Sequence, residues 1–541
     1  MESIGADLEV MKRVPLADEH VSALRAIGQE RSFRKGEMVA EIGQPTDTFV
    51  YVIEGEIEVV DPYSGDRLLE ASLGPTQFMG DISFLNAGSY FLPMRAAKDT
   101  TVLEVPRNDM LELMSQVPEL SDHVIMVYAA RRRRQFELKN SVIKLIGADR
   151  DAAVQRVEAF LARNRVPFQS FDLDSTDDEA ARLCNLVDHE PAVIIGQDRK
   201  LDDPTPRKLA QLLNLDLDIA DDAVVDVLIV GAGPAGVAAA VYAGAEGLSG
   251  LVIEDTAIGG QAGTSSRIEN YMGFPTGISG ADLVYRGQIQ AMKFGTTFAM
   301  PRRVENLEKR PDGLFRATLD DGAFVCARGI VVSTGVQYRR MPLDRLEEFE
   351  GAGVFYAATD MEARFCRNTD AVVIGGGNSA GQAAMYLCRT AKQVHLLVRG
   401  QTLADSMSSY LSRRLEAEPN ILIHYGSEVT ALHGDDHLES ITVKGEDGER
   451  RMETRALFIM IGAAPNTEWL SGLVDLDAKG FVHTGDAVGA ETPYETSQPG
   501  IFAVGDVRAG SVKRVASAVG EGSVVISALF NHVQNLPEPV G

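Results

Sequence analysis

Two glycine loops lying 144 residues apart constrain this chain more than any other feature. The first sits in VVDVLIVGAGPAGVAAAVYAGAEGL, from Val224 to Leu248. An apolar run leads into Gly231-Ala232-Gly233-Pro234-Ala235-Gly236, and a helix-forming run follows. Glycines let the backbone turn tightly and approach a pyrophosphate, which the N–H groups and dipole at a helix N-terminus favour. The next strand, LVIE, ends in Glu254, placed to accept from an adenosine ribose hydroxyl. Strand, loop, helix and acid together predict a dinucleotide site. The second loop lies in AVVIGGGNSAGQAAMYL, where Gly375 is the equivalent of Gly231 and Gly377, Asn378, Ser379 and Ala380 open the helix. No acid closes the strand VHLLVRG that follows; Arg399 stands there instead. An acid would repel a 2′-phosphate, whereas an arginine pairs with it. The first loop therefore suits FAD and the second suits NADPH, with NADH possible. Two such loops in one chain predict an α/β flavoenzyme with two Rossmann-like dinucleotide-binding domains.

The motifs beyond the loops carry a resemblance. IGGQAGTSSRIENYMGFPTGISG, STG at Ser333–Gly335, FIMIGAAPNT and TSQPGIFAVGDVRAGSVKRVASAVGEG together resemble thioredoxin reductase over residues 223–541. The resemblance implies flavin contacts at Gly259, Gly260, Gln261 and Asn270, and at Thr334 and Gly335 where the chain leaves the FAD domain. It implies Gly505 and Asp506 at the ribityl chain, and Gly462 at the exit from the NADPH domain. Lys513-Arg514-Val515 stand where the family has RQA. A cation near the flavin stabilises its reduced, anionic form, so Arg514 is expected to be catalytic. The implied organisation is a discontinuous FAD domain (221–345 and 470–541) around an NADPH domain (346–469). Mutual rotation of the two and a homodimer are implied as well.

The departure from that family lies in GVFYAATDMEARFC, from Gly353 to Cys366. The family reads GVSxCxxCD there. This chain is one residue shorter before the Asp, with Tyr356 or Ala357 in the first cysteine's place and Thr359 in the second's. Neither position can form a thiolate or a disulfide. The four cysteines, Cys184, Cys326, Cys366 and Cys388, contain no CxxC and read as buried. Thr359-Asp360-Met361-Glu362 fits a capping box. Asp360 takes the place of the family's acid and is expected to protonate a different acceptor. Flavin-based ferredoxin/flavodoxin–NADP reductases of this fold also lack the dithiol. An electron-carrier protein, a quinone or oxygen are the acceptors expected. The alternatives are a redox-regulatory protein with little turnover, or disulfide reduction through an external dithiol.

Residues 1–140 alternate apolar and polar with frequent glycine, then turn helical, which predicts a β-roll followed by helices. YVIEGEIEV and FMGDISFL resemble the cyclic-nucleotide-binding domain. That family pairs an arginine with the cyclic phosphate; here Tyr90 holds its place and Arg95 falls in the next strand, while Asp81 replaces the usual glutamate. Binding of a cyclic nucleotide is therefore not expected. Residues 141–220 read as strand–helix–strand, hairpin and helix and resemble the thioredoxin/glutaredoxin fold, with Pro191 at that family's cis-proline position. GADRDAAV stands where its CxxC would be, so this unit is expected to carry no redox chemistry.

The 541 residues carry a net charge of −26, which argues against nucleic-acid and anionic-membrane partners. Arg131–Arg134 form a local RRRR run, expected to be the solvated face of a linking helix. No apolar run is long enough to span a bilayer, and no metal site is expected. The N-terminus lacks a signal-peptide pattern, and with the scattered cysteines a reducing, cytoplasmic home is expected.

Overall fold

Alternating side chains close the first hundred residues into a roll. In the computed structural model, Gln29–Phe33, Thr100–Pro106 and Thr48–Glu54 pair antiparallel in one sheet, and Met38–Ala40, Met94–Ala96 and Ile57–Val59 in another. Phe33, Val50, Val52, Ile57 and Val102 fill the space between them. The structure describes residues 15–137, 142–147, 151–172, 191–195, 199–213, 215–217, 219, 224–265, 268, 270–350, 352–356, 358, 360–363, 366–404, 407–435, 437–446, 448–470 and 472–536. Cys184, Ala357 and Thr359 lie outside them, as does the peptide bond preceding Pro191.

A short 3-10 helix, Ile82–Asn86, forms the roll's cassette; Asp81 caps it, accepting from the Ser83 N–H at 2.9 Å. The helix Pro118–Glu137 then lies across this cassette. Here the arginine run departs from expectation. Arg132 is 5% exposed and pairs with Asp81 at 2.8 Å. Arg131 donates to the carbonyls of Phe78 at 2.7 Å and Gly80 at 2.9 Å. Like charges in a row suggest solvent, but the cassette's carboxylate and open carbonyls lie opposite this helix and take up two of the four guanidinium groups.

Next comes a four-stranded sheet in the order Arg199–Asp202, Ala192–Ile195, Ile143–Gly147, Gln169–Asp172. The last two strands are parallel, joined through the helix Ala152–Arg163; the other pairs are antiparallel. Val154, Val157, Phe160 and Leu161 recur at helical spacing and bury one face of that helix.

The first glycine loop belongs to a seven-stranded sheet. Val224–Val230 runs parallel to Gly250–Ile253 on one side and to Phe324–Val332 on the other. Thr297–Ala299 forms one edge, and the late strand Ile501–Ala503 returns to pair in parallel with Phe324–Val332. The second glycine loop belongs to a five-stranded parallel sheet in the order Val354–Phe355, Ala456–Ile459, Asp370–Ile374, Gln393–Leu397, Ile421–His424. Continuous apolar burial in Val227–Val230 and Ala371–Ile374 is what strands covered on both faces require. Two crossing segments, Val336–Tyr338 and Ala463–Pro465, pair antiparallel between the two sheets. Among the described residues no helix is long and apolar enough to cross a membrane.

Candidate dinucleotide cleft

The first loop turns because only glycine fits it. Gly231 has φ +100°, and a Cβ there would stand 2.5 Å from the Ser333 carbonyl oxygen. A Cβ on Gly236 would lie 1.9 Å from the Gly231 carbonyl oxygen, so the helix Pro234–Ala245 presses directly on the strand end. At Gly233 a Cβ would meet nothing within 4 Å; that face is open. Gly233 caps the helix and Pro234 occupies its first turn, leaving N–H groups free at the mouth.

Those residues line a cleft of about 1250 Å³. Gly231, Gly233, Pro234 and Ala235 form one wall with Glu254. Gly260, Gln261, Thr334 and Gly335 form another, and Gly505, Asp506, Lys513, Arg514 and Val515 close the end. Gly259 lies just beneath, donating to the Ala232 carbonyl at 2.8 Å. Gln261 donates to the Val336 carbonyl at 2.6 Å, and Thr334 to that of Asn466 at 3.0 Å, which ties the cleft wall to the crossing segments. Glu254 accepts from the N–H groups of Ala232 at 2.7 Å and Thr256 at 3.1 Å. Burial, with Asp255 beside it, pushes its carboxyl up to about 8. Burial also raises the Asp506 carboxyl, against the pull of Lys513.

The same cleft reaches the second dinucleotide loop. Ser379, Gln382, Ala383 and Tyr386 line it along one face of the helix Asn378–Leu387. Gly375 has φ +142° and packs tightly: a Cβ would lie 2.3 Å from the Met460 carbonyl oxygen and 3.0 Å from the Ala380 methyl. Gly377 caps the helix, Asn378 accepts from the Ser408 N–H at 2.8 Å, and Gly462 turns with φ +94° in an exposed position. Arg399 is exposed just past Gln393–Leu397 and outside the cleft.

Asn270 departs from the expected flavin contact: it is exposed and outside the cleft. Ile268 and Ile278 bridge at 2.7 and 3.0 Å, and Met272 between them is 94% exposed. Asp360 opens the helix Asp360–Ala363, but its side chain lies outside the described residues. Phe355, Tyr356, Ala358 and Glu362 line the cleft nearby. Tyr356 stacks on Tyr338 at 5.9 Å and 13°, and its hydroxyl donates to Glu350 at 2.6 Å.

The family model for pyridine nucleotide-disulphide oxidoreductases matches residues 225–522, and that for the cyclic nucleotide-binding domain matches residues 30–117. The chain belongs to the pyridine nucleotide-disulphide oxidoreductase family. It is 36% identical to a thioredoxin reductase of Treponema pallidum over 58% of this chain and 98% of that protein. To a thioredoxin reductase of Streptomyces clavuligerus it is 34% identical, over 55% of this chain and 90% of the relative. The crystal structure of Lactococcus lactis thioredoxin reductase in its FR conformation superposes with a TM-score of 0.52 at 30% identity, covering 58% of this chain and all of that one. Thioredoxin reductase-like members of this oxidoreductase family use FAD and NADPH. The open face at Gly233, the free N–H groups beside it and the acid at Glu254 fit a dinucleotide. The roll at the N-terminus is an addition to this oxidoreductase core.

Three residues that line or support the cleft were not foreseen. Glu521 accepts from the Gly505 N–H at 2.7 Å and pairs with Arg508 at 2.6 Å, which positions the loop carrying Asp506. An acid on the apolar face of a helix, as in AVGEG, is the signal that could have found it. Arg163, from the four-stranded unit, lines the cleft, and so does Trp469; neither belongs to a local motif.

Proposed function

We propose that this protein is an FAD-dependent NADPH oxidoreductase that delivers electrons to an acceptor other than a disulfide. One observation carries the reading: none of the three described cysteines lines the cleft, and all three are buried. The Cys366 thiol, nearest in sequence to the family's dithiol position, is fully buried and donates to the Ala363 carbonyl at 3.3 Å. Burial pushes both it and Cys388 up, away from the thiolate that disulfide exchange needs. The sequence has Tyr356 or Ala357 in the first cysteine's place and Thr359 in the second's, and the described residues beside them that line the cleft, Phe355, Tyr356 and Ala358, carry no redox chemistry of that kind.

FAD, when bound, supplies the two-electron chemistry that links NADPH to an acceptor. The chain's residues bind and orient. Gly231–Gly236 with the N–H groups at the helix start would hold the pyrophosphate, and Glu254 the adenosine ribose. Asp506, held through Glu521, would take the ribityl chain. Lys513 and Arg514 lie at the far end of the cleft, where positive charge would favour the reduced flavin. Gly375–Ala380 would seat NADPH, and Arg399 would meet its 2′-phosphate.

The remaining assignments follow the same reading. The strand order of residues 143–202, two parallel strands flanked by an antiparallel hairpin, supports a thioredoxin-like unit at 141–220 without its cysteines. Tyr90, buried in the place of the phosphate-binding arginine, and Asp81, engaged by Arg132, support a roll that takes no cyclic nucleotide in the usual manner. The same resemblance supports a homodimer, and the scattered cysteines support a cytoplasmic setting. Mixing the FAD-loaded protein anaerobically with NADPH tests the core of the proposal. Rapid bleaching of the flavin, and its recovery on adding a quinone, an electron-carrier protein or oxygen, is expected. A flavin that stays oxidised under NADPH overturns it in favour of a regulatory protein with little turnover.

A further inference from the structure

The helix Ala152–Arg163 belongs to the four-stranded unit, and the oxidoreductase family match begins only at residue 225. Yet Ala159 and Arg163, four residues apart on one face of this helix, both line the dinucleotide cleft. Val154, Val157 and Leu161 lie on the opposite side, in the unit's own core. We propose that Arg163 is a binding residue for the pyrophosphate of a dinucleotide, supplied to the cleft from outside the oxidoreductase core. The proposal rests on the reading of the cleft as a dinucleotide site.

The end of this helix is fastened to the flavin domain. Arg165 has φ +53°, a left-handed turn at which glycine is ordinarily favoured. Its side chain gives the reason for an arginine there: it pairs with Asp282 at 2.5 Å and stacks on Tyr285 at 4.4 Å. Asn164 reaches the Thr256 carbonyl at 3.5 Å, two residues beyond Glu254. These contacts fix where Arg163 emerges, beside the turn that carries Glu254. Arg163 itself is half-buried and makes no hydrogen bond or ion pair among the described residues. Burial and Glu362 raise the Tyr338 phenol and Arg163 pulls it back, so the guanidinium lies close to the crossing segment Val336–Tyr338. A half-buried guanidinium has given up part of its water, and an anion in the cleft would restore the lost hydrogen bonds. The anion that both glycine loops are built to receive is a pyrophosphate, whose paired oxygens match the fork of an arginine. FAD and NADPH both carry one.

The test uses the full chain and reads binding rather than turnover. Flavin fluorescence on dilution of the FAD-loaded protein gives the affinity for FAD. Calorimetric titration of the FAD-loaded protein with NADP⁺ gives the affinity for the other dinucleotide. Arg163→Met should weaken one of the two by about tenfold with the melting temperature unchanged, and the arm that moves names the dinucleotide served. Arg163→Lys, which keeps the charge and loses the fork, should weaken it by less. The gap between wild type and Arg163→Met should narrow at high salt. A wild type that binds both dinucleotides, with Arg163→Met matching it in both arms, overturns this inference alone. A loss in both arms with a lowered melting temperature would give Arg163 a structural role and overturn it also. A wild type that binds neither dinucleotide overturns the reading of the cleft, and this inference with it.

Discussion

Asn86 and Phe298, 212 residues apart, exchange two hydrogen bonds: the Asn86 Nδ2 donates to the Phe298 carbonyl at 3.1 Å, and the Phe298 N–H donates to Asn86 Oδ1 at 3.0 Å. The side chain amide thus acts as one more strand residue on the edge strand Thr297–Ala299 of the flavin domain. That strand adjoins Gly250–Ile253, whose end carries Glu254. The cassette of the roll is thereby fastened to the sheet that presents the ribose-binding acid.

Asn86→Ala should release this fastening. Both partners are buried, so the Phe298 N–H and carbonyl lose their partners without gaining water. The cost is about 2 kcal/mol, equivalent to roughly thirtyfold in local opening. Hydrogen exchange of the Phe298 amide measures it. Unchanged protection would mean that the pair does not hold the junction.

Arg132→Ala should destabilise the roll by about 3 kcal/mol, because it leaves the part-buried Asp81 carboxylate without its cation. The double variant Arg132→Met with Asp81→Ala should recover much of that loss. Thermal unfolding followed by circular dichroism distinguishes the two. Equal losses in both would place the stabilisation elsewhere.

The second and third glycines of the first loop, Gly233 and Gly236, should fail differently. Gly236→Ala forces a methyl against the Gly231 carbonyl and should lower stability with or without FAD. Gly233→Ala meets no protein atom within 4 Å, so the chain should fold normally and bind FAD about tenfold more weakly. Flavin retention on gel filtration, set beside the melting temperature, separates the cases.

Glu254 links FAD binding to pH. Its ordinary value is 4.5, and burial raises it to about 8 in the folded chain. Below 4.5 the group is protonated in both folded and unfolded states. Between 4.5 and about 8 only the folded form keeps its proton, so the FAD-free protein loses stability as pH rises through that window. Ribose hydroxyls donating to the carboxylate would favour its ionised form, and FAD binding at pH 7 should then release a proton. Titration calorimetry in two buffers of different ionisation heat should show this release, and Glu254→Gln should abolish it.

What the chain reveals locally and what it hides divide along physical lines. Gly231, Gly236 and Gly375 are legible because a turn and its neighbouring carbonyls exclude a Cβ within a few residues of sequence. Glu254 is legible because strand length fixes where the next strand ends. Arg131 and Arg132 misled because a run of like charge looks solvated until the Asp81 carboxylate and the Phe78 and Gly80 carbonyls are set opposite it. Asn86 and Arg163 were silent, since their roles arise where separate modules touch. Asn270 stood in a matching motif, yet it is exposed and outside the cleft, next to the bridge between Ile268 and Ile278.

The most direct measurement of the central claim starts from protein whose flavin NADPH has bleached anaerobically, to which oxidised thioredoxin is then added. With Tyr356 or Ala357 and Thr359 at the dithiol's positions in the sequence and the described thiols buried, the flavin should stay bleached with thioredoxin and recover with a non-disulfide acceptor. Rapid reoxidation by thioredoxin, sustained over repeated turnovers of NADPH, would contradict it.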